Sequence, residues 1–151
     1  MNSIYSYNFW KSLLYRQNDY HAHGVLIHTI LVVYHLLKMK QYKMVMAGIM
    51  HDFGKPFTAK PDAKDIAKGR GELSFTNHEE LSYQIIKKWN FISNETKLLV
   101  RYHYLIRGMD RAKQKGEMPK YRRLKRIWDG LSSEMKKDLV LFLKADDLAK
   151  K

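Results

Sequence analysis

The chain has 151 residues, about the length of one domain, and an apolar fraction of 45%, which is ordinary for a globular protein. It contains no cysteine, which excludes disulfides and thiolate metal ligands, and no apolar run approaches the roughly 20 residues of a membrane span. The net charge of +13 favours anionic partners. The N-terminus lacks the pattern of a signal peptide, and we expect a cytoplasmic protein.

The first half of the chain is dominated by helical periodicity. Residues 4–15 and 23–39 carry apolar residues at helical spacing, and His28 falls on the apolar stripe of the second segment. Residues 42–52 are apolar all round, which predicts a short buried helix. The segment 54–77 holds two of the three prolines and three glycines. It predicts a long loop with one short helix inside it.

The second half also predicts helices. Thr76 or Asn77 can begin a helix, with Glu79 or Glu80 completing a capping box. Further helices are predicted over residues 93–106 and from Ser132 or Ser133 onward, with a basic connector, residues 107–128, between them. We therefore predict an all-α fold of about six or seven helices. It forms a single domain over residues 1–151, with its core at about 21–149.

Residues of the kinds that bind metals fall at inward-facing positions of these helices. A buried histidine needs partners for its ring nitrogens, and a buried carboxylate without a cation is costly. At the start of a helix the dipole keeps an imidazole neutral, which is the form that binds metal. Imidazole and carboxylate ligands suit Mn, Fe, Ni, Zn or Mg. The candidates are His28, His51, Asp52, His78, His103 and Asp146.

The order of these residues carries a family resemblance. The matching elements are His28-Thr29, His51-Asp52 followed by Gly54-Lys55-Pro56, His78-Glu79, His103 and Ala145-Asp146. In this order they resemble the HD-domain metal-dependent phosphohydrolases. Over about residues 21–149 the chain looks most like the HD domain attached to bacterial tRNA nucleotidyltransferases, here expected as a stand-alone small protein.

The resemblance implies a ligand set. In that family, residues at the positions of His28, His51, Asp52 and Asp146 hold a first divalent metal. In members with two metals, the residue at Asp52 bridges them, and those at His78 and His103 hold the second. One or two divalent ions are therefore expected, and neither their number nor their identity follows from the sequence.

The predicted reaction is hydrolysis of a phosphoester by metal-activated water. A divalent cation neutralises the phosphate charge and lowers the pKa of bound water towards about 7. Asp52, Lys55 and Glu79 are the predicted catalytic residues. Lys55 can also reach a phosphoryl oxygen as a point charge. Glu79 either orients a ligand imidazole and relays protons or belongs to the capping box.

The substrate is predicted to be a nucleotide mono- or triphosphate, a cyclic nucleotide or another nucleotide phosphodiester. Lys55, His23, Arg70 and Arg107 are the candidates for binding it. One alternative is action on RNA or on a 2′,3′-cyclic phosphate RNA end. The basic segment 107–128, with its interleaved aromatic residues, supports that alternative. Another is a non-catalytic nucleotide-binding module that a metal stabilises.

Two further histidines share the spacing of His28. His21 and His35 lie seven residues before and after it, on one stripe if the helix starts early. Only one of the three is expected to reach the metal.

Overall fold

The computed structural model describes residues 1–17, 21–67 and 72–151, without the side chains of Lys64 and Asp65. Arg70, a predicted substrate-binding residue, lies outside the described residues. The elements are α1 (Tyr7–Leu14), α2 (Val25–Lys38), a 3₁₀ turn (Tyr42–Met44), α3 (Val45–Met50), α4 (Lys55–Thr58), β1 (Lys60–Pro61), α5 (Ala63–Ile66), β2 (Leu73–Ser74), α6 (His78–Ile86), α7 (Asn94–Tyr102), α8 (Leu105–Gln114), α9 (Met118–Gly130) and α10 (Ser133–Leu148).

The predicted all-α class is confirmed. Seven helices in the described part of the chain have eight residues or more. The sheet is one antiparallel pair of two-residue strands, in which Lys60 faces Ser74 and Pro61 faces Leu73. None of the described helices combines the length and the apolar character that crossing a membrane requires.

Four helices form the frame that holds the candidate site. Helix α2 packs against α3 and α10, and α7 packs against both α3 and α10. Their buried side chains include Leu36, Val100, Leu139 and Phe142. Each such side chain stabilises the fold by roughly 1.5–3 kcal/mol relative to an exposed one. The ends of these four helices therefore lie in fixed positions relative to one another.

Serine side chains define the start of three helices. Ser6, Ser93 and Ser132 each accept a hydrogen bond from the backbone N–H three residues on. A serine in this position satisfies one of the amides that the first turn leaves without a partner. Ser132 was one of two predicted starts of the last helix, and the structure selects it over Ser133.

The predicted capping box at the start of α6 is wrong. Asn77 precedes the helix with φ 59°, and its side chain makes no capping hydrogen bond. A left-handed backbone at this position directs the side chain away from the amides of the first turn. Glu79 and Glu80 contact His78 and Arg101 instead.

The predicted long loop at 54–77 is more structured than expected. Its described residues include α4, α5 and the strand pair, and α5 corresponds to the predicted short helix. Gly54 lies so close to α6 that a Cβ there would collide with the His78 carbonyl oxygen. The Gly54 N–H donates to Ser82 Oγ at 2.8 Å. This contact holds Lys55, the first residue of α4, against the start of α6.

The predicted basic connector is helical. Residues 105–130 form α8 and α9, which pack on each other and are joined through Gly116 at φ +70°. No residue of α9 is buried. Gly108 of α8 allows the close approach, because a Cβ there would lie 3.2 Å from Leu124 of α9. We call residues 105–130 the α8–α9 hairpin.

Candidate metal centre

The structure brings the six predicted ligands together. Each is at most 8% exposed, although five different helices or helix ends supply them. His28 lies on α2, His51 and Asp52 follow α3, and His78 begins α6. His103 follows α7, and Asp146 lies on α10.

Asp52 lies at the centre of the cluster. Its Oδ2 is 3.2 Å from Nε2 of His51 and 3.7 Å from Nε2 of His28. Its Oδ1 is 3.4 Å from Nε2 of His78 and 3.8 Å from Nε2 of His103. Each carboxylate oxygen therefore faces a different pair of imidazoles, which is the arrangement that a carboxylate shared between two ions would need.

All four imidazoles are oriented by backbone carbonyls. A carbonyl cannot donate, so each Nδ1 must carry the hydrogen, and the Nε2 atom is left to face the centre of the cluster. Such outer hydrogen bonds are typical of metal-binding histidines, where they fix the tautomer and the ring orientation. The bonds run from His28 to Ala149 (3.2 Å), His51 to Gly48 (2.8 Å), His78 to Phe75 (2.8 Å) and His103 to Val100 (2.7 Å).

The cluster has a surplus of acceptors that a cation would satisfy. Nε2 of His28 lies 2.9 Å from Oδ1 of Asp146, and since the Nδ1 hydrogen is directed to Ala149, this contact requires a proton or a cation between the two atoms. Within the described part of the chain, Nε2 of His51 and Oδ1 of Asp52 are buried and make no hydrogen bond, while Oδ2 of Asp52 has the Lys55 ammonium beside it. Leaving buried polar atoms without partners is costly.

Two triads of ligand atoms fit divalent ions. The atoms of His28, His51 and Asp146 lie within 4.8 Å of one another, and so do those of Asp52, His78 and His103. Both sets combine nitrogen and oxygen without sulfur, which suits the transition metals named above and, with more water, Mg. These residues therefore fit one or two divalent ions.

Cations surround the two carboxylates. Lys55 is 5% exposed, and its Nζ lies 2.8 Å from Asp52 Oδ2. Arg107 lies 3.1 Å from Asp146 Oδ2 and also contacts Asp147, while Lys150 lies 2.9 Å from Asp146 Oδ2. Asp147, the neighbour of Asp146 on α10, is exposed.

These charges keep both carboxylates ionised. Burial alone would raise the pKa of Asp52, but the charges of His51 and Lys55 hold it well below its usual range. Burial of Asp146 is likewise outweighed by its hydrogen bond to His28 and by the charge of Lys150, so its pKa is also well below the usual range. Both groups are therefore charged acceptors at neutral pH.

Burial lowers the pKa of an imidazole, whereas it raises that of a carboxyl group, and at two of the imidazoles burial prevails. It lowers the pKa of His103 to about 3, helped by the charges of His51 and His78, and it also lowers the pKa of His78. Both rings are thus neutral at pH 7, in the form that binds metal. At His51, burial is outweighed by the negative charge of Asp52, and the pKa is raised. This is a further sign that the cluster attracts positive charge.

His21 lies beside the cluster, although no role was predicted for it from the sequence. Its ring centroid is 5.1 Å from that of His28, at 83°. Burial, followed by the charge of Lys55, lowers its pKa to about 2. Because α2 begins only at Val25, His21 reaches the site from the chain before the helix. The seven-residue spacing from His28 was the one signal that pointed to it.

The other two histidines lie elsewhere. His23, predicted to bind substrate, is half-buried, and its carbonyl accepts a hydrogen bond from Gln17 Nε2 at 3.1 Å. His23 is not part of the cavity lining described below. His35 packs its ring against Tyr34 on α2.

Glu79 lies next to a ligand imidazole. Its Oε2 is 3.3 Å from Nδ1 of His78, and its side chain is 27% exposed. It also lines the cavity that opens from the cluster. This position favours an orienting or proton-relay role for Glu79 over the capping role that the sequence left open.

A cavity of about 1100 Å³ opens from the cluster, large even for a small-molecule site. Lys55, Arg107 and His21 line it together with four of the ligands, Asp52, His78, His103 and Asp146. One wall is the segment 72–80, and the other is the α8–α9 hairpin. The cluster can therefore be reached by a ligand considerably larger than a phosphate.

A comparison with known families agrees with this geometry. The family model named HD domain matches residues 25–134, well over half of the chain. The chain therefore belongs to the HD domain family, whose superfamily is that of metal-dependent phosphohydrolases. The matched range ends two residues into α10, well before Asp146, so the place of Asp146 in the cluster is known from the structure. No curated protein and no solved structure matches the chain.

Proposed function

We propose that the protein is a metal-dependent phosphohydrolase that cleaves a phosphoester of a nucleotide. The observation that carries the proposal is the convergence of four backbone-oriented imidazoles on two charged carboxylates at the inner end of a cavity. The finer resemblance to the HD domain of tRNA nucleotidyltransferases, which stays a prediction, also favours a nucleotide, and with it a cytoplasmic location.

The ligand roles follow from the two triads. His28, His51 and Asp146 would hold one ion, His78 and His103 a second, with Asp52 between them. When bound, such ions lower the pKa of water towards about 7 and neutralise charge on a phosphoryl group. The protein's own contribution is to hold the four Nε2 atoms and the two ionised carboxylates in fixed positions.

Two cations are placed to bind the phosphate of the substrate. Lys55 and Arg107 line the cavity beside Asp52 and Asp146, respectively. Preorganised cations stabilise the charge that develops on phosphoryl oxygens. Lys55 is nearly buried, so it would act at the reacting phosphate, whereas Arg107 is more open and would bind the same or the adjacent phosphate.

Glu79 would act through His78. Its carboxylate lies against the Nδ1 side of that ring, where it reinforces the orientation set by the Phe75 carbonyl. Because Glu79 also faces the cavity, it can exchange a proton with water there. We therefore assign it as a positioning residue with a proton-relay role.

The test is a screen of natural nucleotides with Mn and Mg, run on the wild type beside Asp52→Asn. Bis-p-nitrophenyl phosphate and p-nitrophenyl phosphate separate diesterase from monoesterase activity. We expect metal-dependent hydrolysis that Asp52→Asn abolishes. Asp138→Asn is the matched control, since Asp138 is a buried α10 carboxylate that pairs with Lys43. Activity that survives Asp52→Asn would overturn the proposal.

A further inference from the structure

The α8–α9 hairpin carries a surface that the reaction proposed above does not use. Helix α9 has 13 residues, of which five are Lys or Arg and one is Asp, and none is buried. Requirements of the core therefore do not explain its composition. Two partly buried residues, Trp128 in its last turn and Leu131 directly after it, pack against the core and fix its position.

One face of α9 lines the cavity. Its residues are Lys120, Arg123, Leu124 and Ile127, which share a helix face by their spacing of three and four. Arg122 lies on the opposite face of the same helix and Arg126 at the side of the helix, and neither lines the cavity. Helix α9 thus has two basic faces, of which only one is directed towards the path to the metal centre.

Helix α8 continues this basic wall to the metal centre. Arg107, Arg111 and Lys115 all line the cavity at about one helical turn apart, and Arg107 contacts Asp146. From Arg107 to Lys115 the axis rises about 12 Å. Charges repeat about every 3.4 Å along a stacked nucleic-acid strand, so this distance spans roughly three or four phosphates. A mononucleotide would occupy only the inner end.

The opposite wall would repel phosphates. Glu72, Glu79, Glu80 and Asp62 line it, with Arg101 paired to Glu80, and this acidic surface directs a polyanion in the cavity to the hairpin side. Within the described ranges, Lys115 and Arg123 make no ion pair, which leaves both charges available to a ligand. Leu124 and Ile127 lie between the cations and offer apolar surface to the bases.

We propose that the α8–α9 hairpin binds the backbone of single-stranded nucleic acid and leads one of its phosphoesters to the metal centre. The inference rests on the proposed function and narrows its substrate from a nucleotide to a polynucleotide. A single strand is required because Asp52, at the inner end of the cavity, is only 1% exposed. A phosphate held on the outside of a duplex would not reach that depth.

Binding is tested apart from hydrolysis, in EDTA, by fluorescence anisotropy of a labelled single-stranded RNA. A length of about 12 nucleotides lies within the usual site sizes. We expect Lys120→Glu/Arg123→Glu to weaken binding at least about tenfold. It should also reduce the slope of log K against log salt by about 1.4, because each phosphate contact contributes roughly 0.7 for single strands.

The matched control is Arg122→Glu/Arg126→Glu, which reverses the same number of charges on the other face of α9. We expect it to weaken binding less than about threefold, since only the general electrostatic attraction is reduced. Circular dichroism checks that both double variants fold. If Lys120→Glu/Arg123→Glu does not fold, Lys120→Gln/Arg123→Gln takes its place in the binding assay.

The possible results of these experiments test the RNA-binding inference and the proposed hydrolytic function independently. Equal effects of the two double variants, or an affinity for AMP equal to that for RNA, would overturn the inference. Nucleotide hydrolysis without RNA binding would also overturn it and leave the proposed function intact. Face-specific RNA binding by a protein that hydrolyses no phosphoester would support the binding surface and overturn the proposed function.

Discussion

The metal-binding cluster and the α8–α9 hairpin differ in how far their functional side chains are buried and fixed. Every ligand of the cluster is buried, and each imidazole is fixed by a backbone carbonyl. Helix α9 buries no residue, and its charges face the cavity or solvent. The core therefore positions the groups of the cluster, whereas the surface that we propose to bind the substrate is not constrained by burial in the core.

The largest expected effect concerns the centre of the cluster. Asp52→Asn should lower kcat/KM by more than about 1000-fold, since even the outer partners of metal ligands contribute 10- to 100-fold. It should also abolish any thermal shift on adding Mn. Asp138→Asn, measured in the same assays, should change neither. A variant at Asp52 that keeps the metal-induced shift would contradict the central position of this carboxylate.

The next largest effect is on the free energy of unfolding, and it compares side-chain packing at the cluster with packing at α9. The Phe142 ring packs against His51 and His103, with centroids 5.5 and 6.3 Å away. Phe142→Ala should lower the free energy of unfolding by about 3–5 kcal/mol. Leu124→Ala on α9 should lower it by roughly 1 kcal/mol or less. Urea unfolding of both variants measures this, and similar losses would show that α9 is as constrained as the cluster.

Lys55 tests whether the buried cation beside Asp52 contributes to catalysis. Lys55→Gln should lower kcat by roughly 100-fold, in the range found for the loss of one preorganised charge donor. The control is Lys43→Gln, since Lys43 also pairs with an aspartate, Asp138, but at the surface. Steady-state kinetics at a fixed Mn concentration measure kcat for both variants. An unchanged kcat for Lys55→Gln would remove this residue from the catalytic set.

The smallest effect is a dependence of stability on pH. Burial lowers the pKa of His103 from its ordinary 6.5 to about 3. Between these pH values the imidazole binds a proton in the unfolded chain but not in the folded protein. This contribution destabilises the metal-free protein as the pH falls from about 6.5 towards 3. His103→Gln should remove it, so the Tm of the variant should fall less than that of the wild type between pH 7 and 5. An equal or larger fall would show that His103 is not held neutral.

Much of the cluster could be predicted from the sequence because its residues lie on regular helices. The spacing of Leu139 and Phe142 places Asp146 on the core-facing stripe and Asp147 outside it, as the structure shows. The inward-facing position of His28 follows from the same periodicity. The Ala149 carbonyl that accepts the hydrogen bond from its Nδ1 lies 121 residues away in the chain and could not be inferred from a local pattern.

The incorrect predictions concern residues whose positions depend on tertiary contacts. The capping box failed because Asn77 adopts a left-handed backbone, which no local pattern required. The loop at 54–77 is ordered in its described parts because Gly54 packs against α6. The hairpin was predicted as a connector because its charge obscures the weak apolar stripe through which α9 packs.

Calorimetric titration of Mn into the metal-stripped protein tests the central claim most directly. The wild type should bind Mn saturably, and His78→Gln/His103→Gln should remove binding at one triad while His28, His51 and Asp146 retain theirs. If the wild type binds one ion, the variant should keep it. A wild type that binds no Mn, Fe, Ni, Zn or Mg, and shows no thermal shift with any of them, would contradict the assignment of this cluster as a metal centre.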